Sequence, residues 1–218
     1  MPIRPKDKFL VFGAPLIEED EIVEVVHSLK TGWLGTGPKV AKFEEDFKRY
    51  KQAPYAVALN SCTAALHLSL IAAGIGPGDE VITTPLTFCA TINAIIHSGA
   101  TPILADINPK TMNIDPDQIA SKITSRTRAI LPVHFAGRPC EMKAIMDLAE
   151  KFDLMIIEDC AHAIESEYKG RPCGTFGEFG CFSFYVTKNV VTGEGGMILT
   201  RKEEYAARIK VLALHGMS

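Results

Sequence analysis

The sequence predicts an α/β protein in which helices cover both faces of a mainly parallel, seven-stranded sheet. Seven short apolar runs rich in β-branched residues lie near 56–59, 81–84, 102–106, 129–134, 154–158, 181–186 and 196–200. Helical stretches separate most of them, and near-continuous apolar character is typical of strands buried on both faces. Such strands with helical crossovers form a three-layer α/β/α domain, whose ligands bind beyond the carboxyl ends of the strands.

The helices are predicted from apolar residues at helical spacing. Two of them open the chain, at 17–30 and 40–50. The apolar face of the first consists of Ile22, Val25, Val26 and Leu29. The apolar face of the second consists of Val40, Phe43, Phe47 and Tyr50. Glycine and proline predict a loop between them. Further helices are predicted at 62–74, 140–153 and 203–216.

Composition narrows the class of protein. The chain has 218 residues, enough for one large domain with a full core. A net charge of -3 provides no basic field, so nucleic acid is not an expected partner. No apolar run is long enough to cross a membrane, and the N-terminal segment has no apolar core typical of a signal peptide. Six scattered cysteines without a CxxC pair predict reduced thiols in a cytoplasmic protein and no metal site.

Two segments at strand ends carry residues with catalytic chemistry. The strand near 154–158 runs into Asp159, a carboxylate placed to meet a cationic ligand group; the alternative is a helix N-cap. Lys188 lies between an apolar strand and a loop with three glycines, which predicts a side chain in a cleft. A lysine there can lose its proton and attack a carbonyl. The alternative is a glycine turn within a hairpin.

Two further segments predict binding groups. Residues 60–63 lead from a strand into a helix, and free N–H groups and hydroxyls at a helix N-terminus form a site suited to phosphate. The alternative is simple helix capping. Phe88 follows the strand near 81–84 and could stack on a flat ring or belong to the core. Together, a lysine, an acid, an anion site and a stacking ring predict a pyridoxal phosphate (PLP) site.

The motifs also carry a family resemblance. The chain resembles the sugar aminotransferases of the DegT/DnrJ/EryC1/StrS family, which are fold type I PLP enzymes. The landmarks are GWLGTGPKVAKFEEDF (32–47), NSCTAALHL (60–68), GDEVITTPLTFCATINAI (78–95), PVHFAG (132–137), IIEDCAHA (156–163) and SFYVTKNVVTGEGG (183–196). PVHFAG and the AHA after the acid are most similar to the branch that makes 4-amino sugars on UDP, such as the UDP-4-amino-4-deoxy-L-arabinose aminotransferases.

The resemblance implies a role for each motif residue that faces the cofactor. Lys188 would hold PLP as a Schiff base and shuttle the proton. Asp159 would pair with the pyridine nitrogen and keep it protonated. His162 would lie near the phenolic oxygen, where the family has Gln or His. Phe88 would take the place of the stacking aromatic.

It also implies how phosphate and substrate are held. Ser183, Thr63 and the backbone at Cys62 would hold the phosphate. Trp33 and Thr36, in the loop between the first two helices, would border the nucleotide-sugar site. The implied reaction transfers an amino group from glutamate to a nucleotide-linked 4-keto sugar in a homodimer.

The resemblance further implies a domain organisation. Residues 1–50 would form the N-terminal helices and the substrate-side loop, and residues 51–218 the PLP-binding large domain. Family members reach about twice the length of an ordinary domain, so the C-terminal small domain is expected to be absent from these 218 residues.

Two alternatives follow. A truncated chain could bind PLP and remain inactive. Another PLP chemistry, such as a sugar dehydratase, is disfavoured because that branch has His where this chain has Lys188.

Overall fold

The computed structural model describes residues 13–217, in which strands and helices alternate. The main-sheet strands are β1 (Tyr55–Leu59), β2 (Glu80–Thr83), β3 (Thr101–Leu104), β4 (Thr127–Leu131), β5 (Met155–Asp159), β8 (Phe179–Ser183) and β9 (Gly196–Thr200). The short strands β6 (Glu167–Tyr168) and β7 (Arg171–Pro172) form a separate hairpin. The helices are α1 (Glu19–Thr31), α2 (Pro38–Tyr50), α3 (Cys62–Ala72), α4 (Cys89–His97), α5 (Pro116–Lys122), α6 (Met142–Phe152) and α7 (Glu203–Ala213).

The main sheet is mostly parallel, as the sequence predicts. Its strand order is β1-β9-β8-β5-β4-β2-β3. β9 pairs antiparallel with both β1 and β8, and the remaining neighbours pair in parallel. The carboxyl ends of β1, β8, β5, β4, β2 and β3 therefore lie at the same edge of the sheet.

Helices cover both faces of the sheet, which confirms the three-layer prediction. Successive strand residues point to opposite faces. Ile157 accordingly belongs to a core cluster that includes residues of α3, α4 and α7. Its neighbour Ile156 belongs to a cluster on the other face, with residues of α5 and α6. On that face, Phe47 of α2 packs edge-on against Phe182, with ring centroids 5.1 Å apart.

The first helix forms where predicted but buries none of its residues among those described. A capping box between Glu18 and Glu21 begins α1, and Gly32 ends it in the left-handed conformation, with φ of 70°. The apolar face predicted for α1 is present and exposed to solvent. The division of the chain at residue 50 stays a prediction.

Strand and helix ends differ from the predictions by a few residues. β4 ends at Leu131, before the predicted limit, because Pro132 has no N–H to continue the ladder. The strand predicted at 181–186 begins earlier, at Phe179. The predicted elements did not include α4, α5 or the β6–β7 hairpin, although Asp115 caps α5 and Pro116 begins it, a common start signal.

In the described part of the chain, no helix has both the length and the apolar character needed to cross a bilayer. The expectation of no signal peptide concerns a segment that falls mostly outside the described residues.

Candidate active site

Strand register brings the predicted residues to one edge of the sheet. Leu59, the last residue of β1, and Ser183, the last residue of β8, both pair with Gly196 at the start of β9. Asp159 ends the adjacent β5 and pairs with Cys181. The predicted phosphate, acid and lysine segments therefore all leave the sheet at its carboxyl edge.

The N-terminus of α3 lies directly against this edge. Ser61 caps the helix by accepting a hydrogen bond from the Ala64 N–H at 3.1 Å, so the capping alternative is correct. Within residues 13–217, the N–H groups of Cys62 and Thr63 have no acceptor. A Cβ at Gly196 would lie 2.4 Å from the Ser61 carbonyl carbon, so glycine is required for this close approach. Capping and anion binding are therefore compatible here.

Asp159 is a buried carboxylate held at both oxygens. Its Oδ2 accepts a hydrogen bond from the Thr91 hydroxyl at 2.8 Å, and its Oδ1 accepts one from the Ala161 N–H at 3.1 Å. Only 5% of the residue is exposed. The helix N-cap alternative is wrong, because a turn and no helix follows β5.

Thr91 and Thr87 are site residues that were not among those predicted from the sequence. The hydroxyls of Thr87, just before α4, and Thr91, in its first turn, are 2.7 Å apart. Thr91 then donates to Asp159. The signal was the i, i+4 spacing of two threonines beside Phe88, but a pattern within one segment does not identify a partner on another strand.

Lys188 contacts His162 across the site. The Lys188 Nζ lies 2.8 Å from the His162 Nε2. Burial lowers the pKa of Lys188 below its ordinary value, against the opposing effect of Asp159. Burial and the Lys188 charge lower the pKa of His162. Both groups are therefore displaced toward their neutral forms, in which a lysine is a nucleophile.

The glycine-rich loop after Lys188 also belongs to a hairpin. β8 and β9 are antiparallel neighbours joined by residues 184–195. The hairpin alternative is therefore correct, and it coexists with the placement of Lys188 at the site. Burial raises the pKa of the nearby Cys62 thiol, which keeps that side chain neutral.

Phe88 lies at the N-terminus of α4 and is 78% exposed. The core alternative for this residue is wrong. Its ring precedes the helical turn that carries Thr91, so it is available to a ligand at the same edge.

Trp33 and Thr36 form their own local contact. The Trp33 Nε1 donates a hydrogen bond to the Thr36 carbonyl at 3.2 Å, and Trp33 is 60% exposed. In the described part of the chain, no hydrogen bond or salt bridge joins this loop to Lys188 or Asp159. Their predicted role at the substrate site stays a prediction.

Glu158, next to Asp159, points to the opposite side of β5. Its Oε1 accepts hydrogen bonds from the N–H groups of Phe176 and Gly177 at 2.7 and 3.0 Å. Its Oε2 accepts from the Gly174 N–H at 2.8 Å and contacts the His134 Nε2 at 3.1 Å. Glu158 therefore anchors the loop that precedes β8.

Three buried side chains, those of His134, Glu158 and Cys160, bring potential metal-ligand atoms within 4.8 Å of one another. The hydrogen bonds to Glu158 already use its oxygens. The His134 Nδ1 accepts from the Cys140 N–H at 3.1 Å, and burial raises the pKa of the Cys160 thiol to about 12. This chemistry favours a structural hydrogen-bond network over a metal site.

The sequence profile of the DegT/DnrJ/EryC1/StrS aminotransferase family matches residues 15–218. The chain belongs to this family. It is 53% identical over 216 residues to the spore coat polysaccharide biosynthesis protein SpsC of Bacillus subtilis, covering 99% of this chain and 56% of SpsC. It is 44% identical over 211 residues to a UDP-4-amino-4-deoxy-L-arabinose--oxoglutarate aminotransferase of Shewanella sediminis, covering 97% of this chain and 54% of that protein.

Solved structures agree with the family assignment. The PLP form of Spr1654 from Streptococcus pneumoniae superposes with a TM-score of 0.89 at 38% identity, covering 95% of this chain and 58% of that one. The chain spans about half the length of the curated relatives it matches. The family and this PLP-form structure indicate pyridoxal phosphate as the cofactor.

The residues at the carboxyl edge fit this cofactor of the DegT/DnrJ/EryC1/StrS family. Lys188 offers an amine with a lowered pKa, and Asp159 offers a buried carboxylate. The start of α3 offers N–H groups without acceptors among the described residues, and Phe88 offers an exposed ring. All six cysteines are free, in accord with the thiols expected from the sequence.

Proposed function

We propose that the protein carrying this chain is a PLP-dependent aminotransferase that moves an amino group from glutamate to a nucleotide-linked 4-keto sugar. The observation that carries the proposal is Lys188, whose pKa is lowered and whose Nζ lies 2.8 Å from His162 beside buried Asp159. Perturbed titratable groups that converge at a sheet's carboxyl edge are typical of a catalytic site.

The residues of this chain would divide the work of proton transfer. When bound, pyridoxal phosphate supplies an electron-withdrawing ring that accepts the electron pair of a breaking C–H bond. Lys188 would hold the cofactor through its neutral amine, with the carbonyl oxygen leaving as water. Once a substrate amine has displaced it, the free Nζ would take the proton of that C–H bond and return it to the substrate. His162 would orient that Nζ through the 2.8 Å contact.

Asp159 would keep a ring nitrogen protonated by a charge-assisted hydrogen bond. For this it must hold its orientation while the substrate changes. The Thr91 hydroxyl at Oδ2 and the Ala161 N–H at Oδ1 supply that support from two different segments.

The phosphate group would lie at the start of α3. The N–H groups of Cys62 and Thr63 are donors without acceptors in residues 13–217, and a helix N-terminus favours an anion. Ser183 would add its hydroxyl, because its strand position is directly across from Gly196, which packs on the same helix end.

The substrate class rests on the relatives. The Shewanella relative is described as acting with oxoglutarate on a UDP-linked 4-amino sugar, and SpsC as a protein of polysaccharide biosynthesis. We extend this to a nucleotide-linked keto sugar as acceptor, glutamate as donor, and a cytoplasmic homodimer. Trp33 and Thr36 would border the sugar nucleotide, with residues 1–50 forming the substrate side and 51–218 the PLP-binding domain.

Borohydride reduction after incubation with PLP tests the cofactor attachment. The pyridoxyl group should be found on the peptide that contains Lys188 and be lost in Lys188→Ala. Lys202→Ala, which alters an exposed lysine, is the matched control. The assignment would be contradicted if another lysine of the Lys188→Ala variant were labelled to the same extent as Lys188 is in the parent protein.

Substrate class needs a separate assay. Glutamate with a panel of UDP-, dTDP- and GDP-linked keto sugars should give 2-oxoglutarate in the presence of at least one of them. Reaction with simple keto acids alone would refute the sugar assignment and leave the Lys188 attachment intact.

A further inference from the structure

A cavity lies at the sheet edge opposite Lys188. It has a volume of about 370 Å³ and is lined by residues 51–54, residues of the 171–177 segment, and residues 199–201. Tyr55 and Phe179, which begin β1 and β8, both pair with Thr200 at this edge. β1 and β8 each have five residues, so the length of these strands separates the cavity from the carboxyl edge by about 13 Å.

Three cationic side chains line this cavity, and the charge of the buried Glu158 carboxylate acts on two of them, Lys51 and Arg171, without forming a salt bridge. The three are Lys51, Arg171 and Arg201. Within residues 13–217, no carboxylate forms a salt bridge with any of the three. Burial, and then the neighbouring charge of Arg201, lower the pKa of Arg171, against the opposing effect of the Glu158 carboxylate. Two guanidinium groups that repel each other beside a cavity favour the binding of an anion between them.

Arg171 is held in place before any ligand binds. Its Nε donates to the Thr175 Oγ1 at 3.2 Å, and its Nη2 donates to the Thr175 carbonyl. The guanidinium carbon lies 4.4 Å from the centre of the Phe176 ring. The two Nη1 donors and one Nη2 donor are left for a ligand. A guanidinium fixed on one side loses little entropy when it binds an oxyanion on the other.

Lys51 adds positive charge from the interior. It is 2% exposed, and its Nζ donates to the Ile164 carbonyl at 2.9 Å and lies 5.2 Å from the centre of the Phe182 ring. A buried ammonium without a paired carboxylate is costly. An anion in the adjoining cavity would lower that cost.

We propose that this cavity binds the phosphate group of a small organic phosphate, with Arg171 and Arg201 as its principal donors. Planar guanidinium groups match the oxygens of phosphate. The cavity falls within the size range of small-molecule sites and is larger than a bare phosphate requires. Pro54, Pro172 and Leu199 provide apolar wall for the organic part. The proposal is independent of the amino-transfer reaction.

Calorimetric titration of the full chain with ribose 5-phosphate, at constant ionic strength, tests the proposal. We expect saturable binding that Arg201→Gln weakens at least tenfold. Arg201 is exposed, so its replacement should not affect folding. Arg171→Gln should weaken binding to a similar extent. Lys202→Gln, the matched charge control, should change the affinity less than twofold. Ribose, which lacks the phosphate group, should not bind.

Three results would overturn the proposal. The first is the absence of saturable binding, and the second is equal weakening by Lys202→Gln and Arg201→Gln. The third is binding that is abolished by Ser183→Ala and unchanged by Arg201→Gln. The last would place the phosphate at the carboxyl edge of the sheet instead. Inorganic phosphate, titrated in parallel, should bind more weakly than ribose 5-phosphate. Equal affinity would show that the apolar wall contributes nothing, and would overturn the proposal that the ligand is an organic phosphate.

Discussion

Replacing Thr91 with valine tests whether the hydroxyl that holds Asp159 matters. Valine keeps the shape of threonine and removes only its hydrogen bonds. Two are lost, one to the Asp159 Oδ2 at 2.8 Å and one to the Thr87 hydroxyl at 2.7 Å. Thr91 is 1% exposed and Asp159 is 5% exposed, so water has little access to replace the lost donor.

The expected loss follows from the charge on the acceptor. A hydrogen bond to a charged group contributes about 1.5–3 kcal/mol to stability. Each kcal/mol corresponds to about 2–4 °C in the melting temperature of a domain of this size. Thr91→Val should therefore lower the free energy of unfolding by about 1.5–3 kcal/mol and the melting temperature by about 3–12 °C.

Urea unfolding of the cofactor-free protein provides the measurement. Thr91→Ser is the matched control, because it keeps the hydroxyl and removes only a methyl group. It should recover most of the difference. A Thr91→Val protein within about 0.5 kcal/mol of the parent, the range of a neutral substitution, would refute the reasoning, as would equal loss in both variants.

Glu158→Gln should lower the unfolding free energy by about 3–6 kcal/mol, because an amide NH₂ would face two of the four donors now bound to the carboxylate. The control is Glu194→Gln, which alters an exposed carboxylate. Equal urea midpoints for the two variants would contradict the expected loss. The pH dependence of Lys188 should reflect its lowered pKa. Because burial favours the neutral amine, the rate of reaction with PLP should rise with pH and level off below the ordinary value of 10.5. Stopped-flow absorbance measures this, and a rate still rising at that value would show that Lys188 is not perturbed.

The sequence determined where each main strand lies along the chain. Strand and helix patterns are local, because side-chain direction repeats every two residues in a strand and about every 3.6 in a helix. All seven main strands were therefore predicted within a few residues. Lys188, Asp159 and the start of α3 were recognisable because each lies at or just after the end of a strand, and parallel strands end at one edge.

Tertiary structure alone decided which groups touch. Asp159 and Glu158 are neighbours in sequence, but the strand sends one to Thr91 and the other to the 174–177 loop. The 2.8 Å contact between Lys188 and His162 joins residues 26 positions apart. The cavity between Arg171 and Arg201 likewise joins a hairpin to the end of β9. Such contacts depend on strand order and register, which the residues of any one segment do not encode.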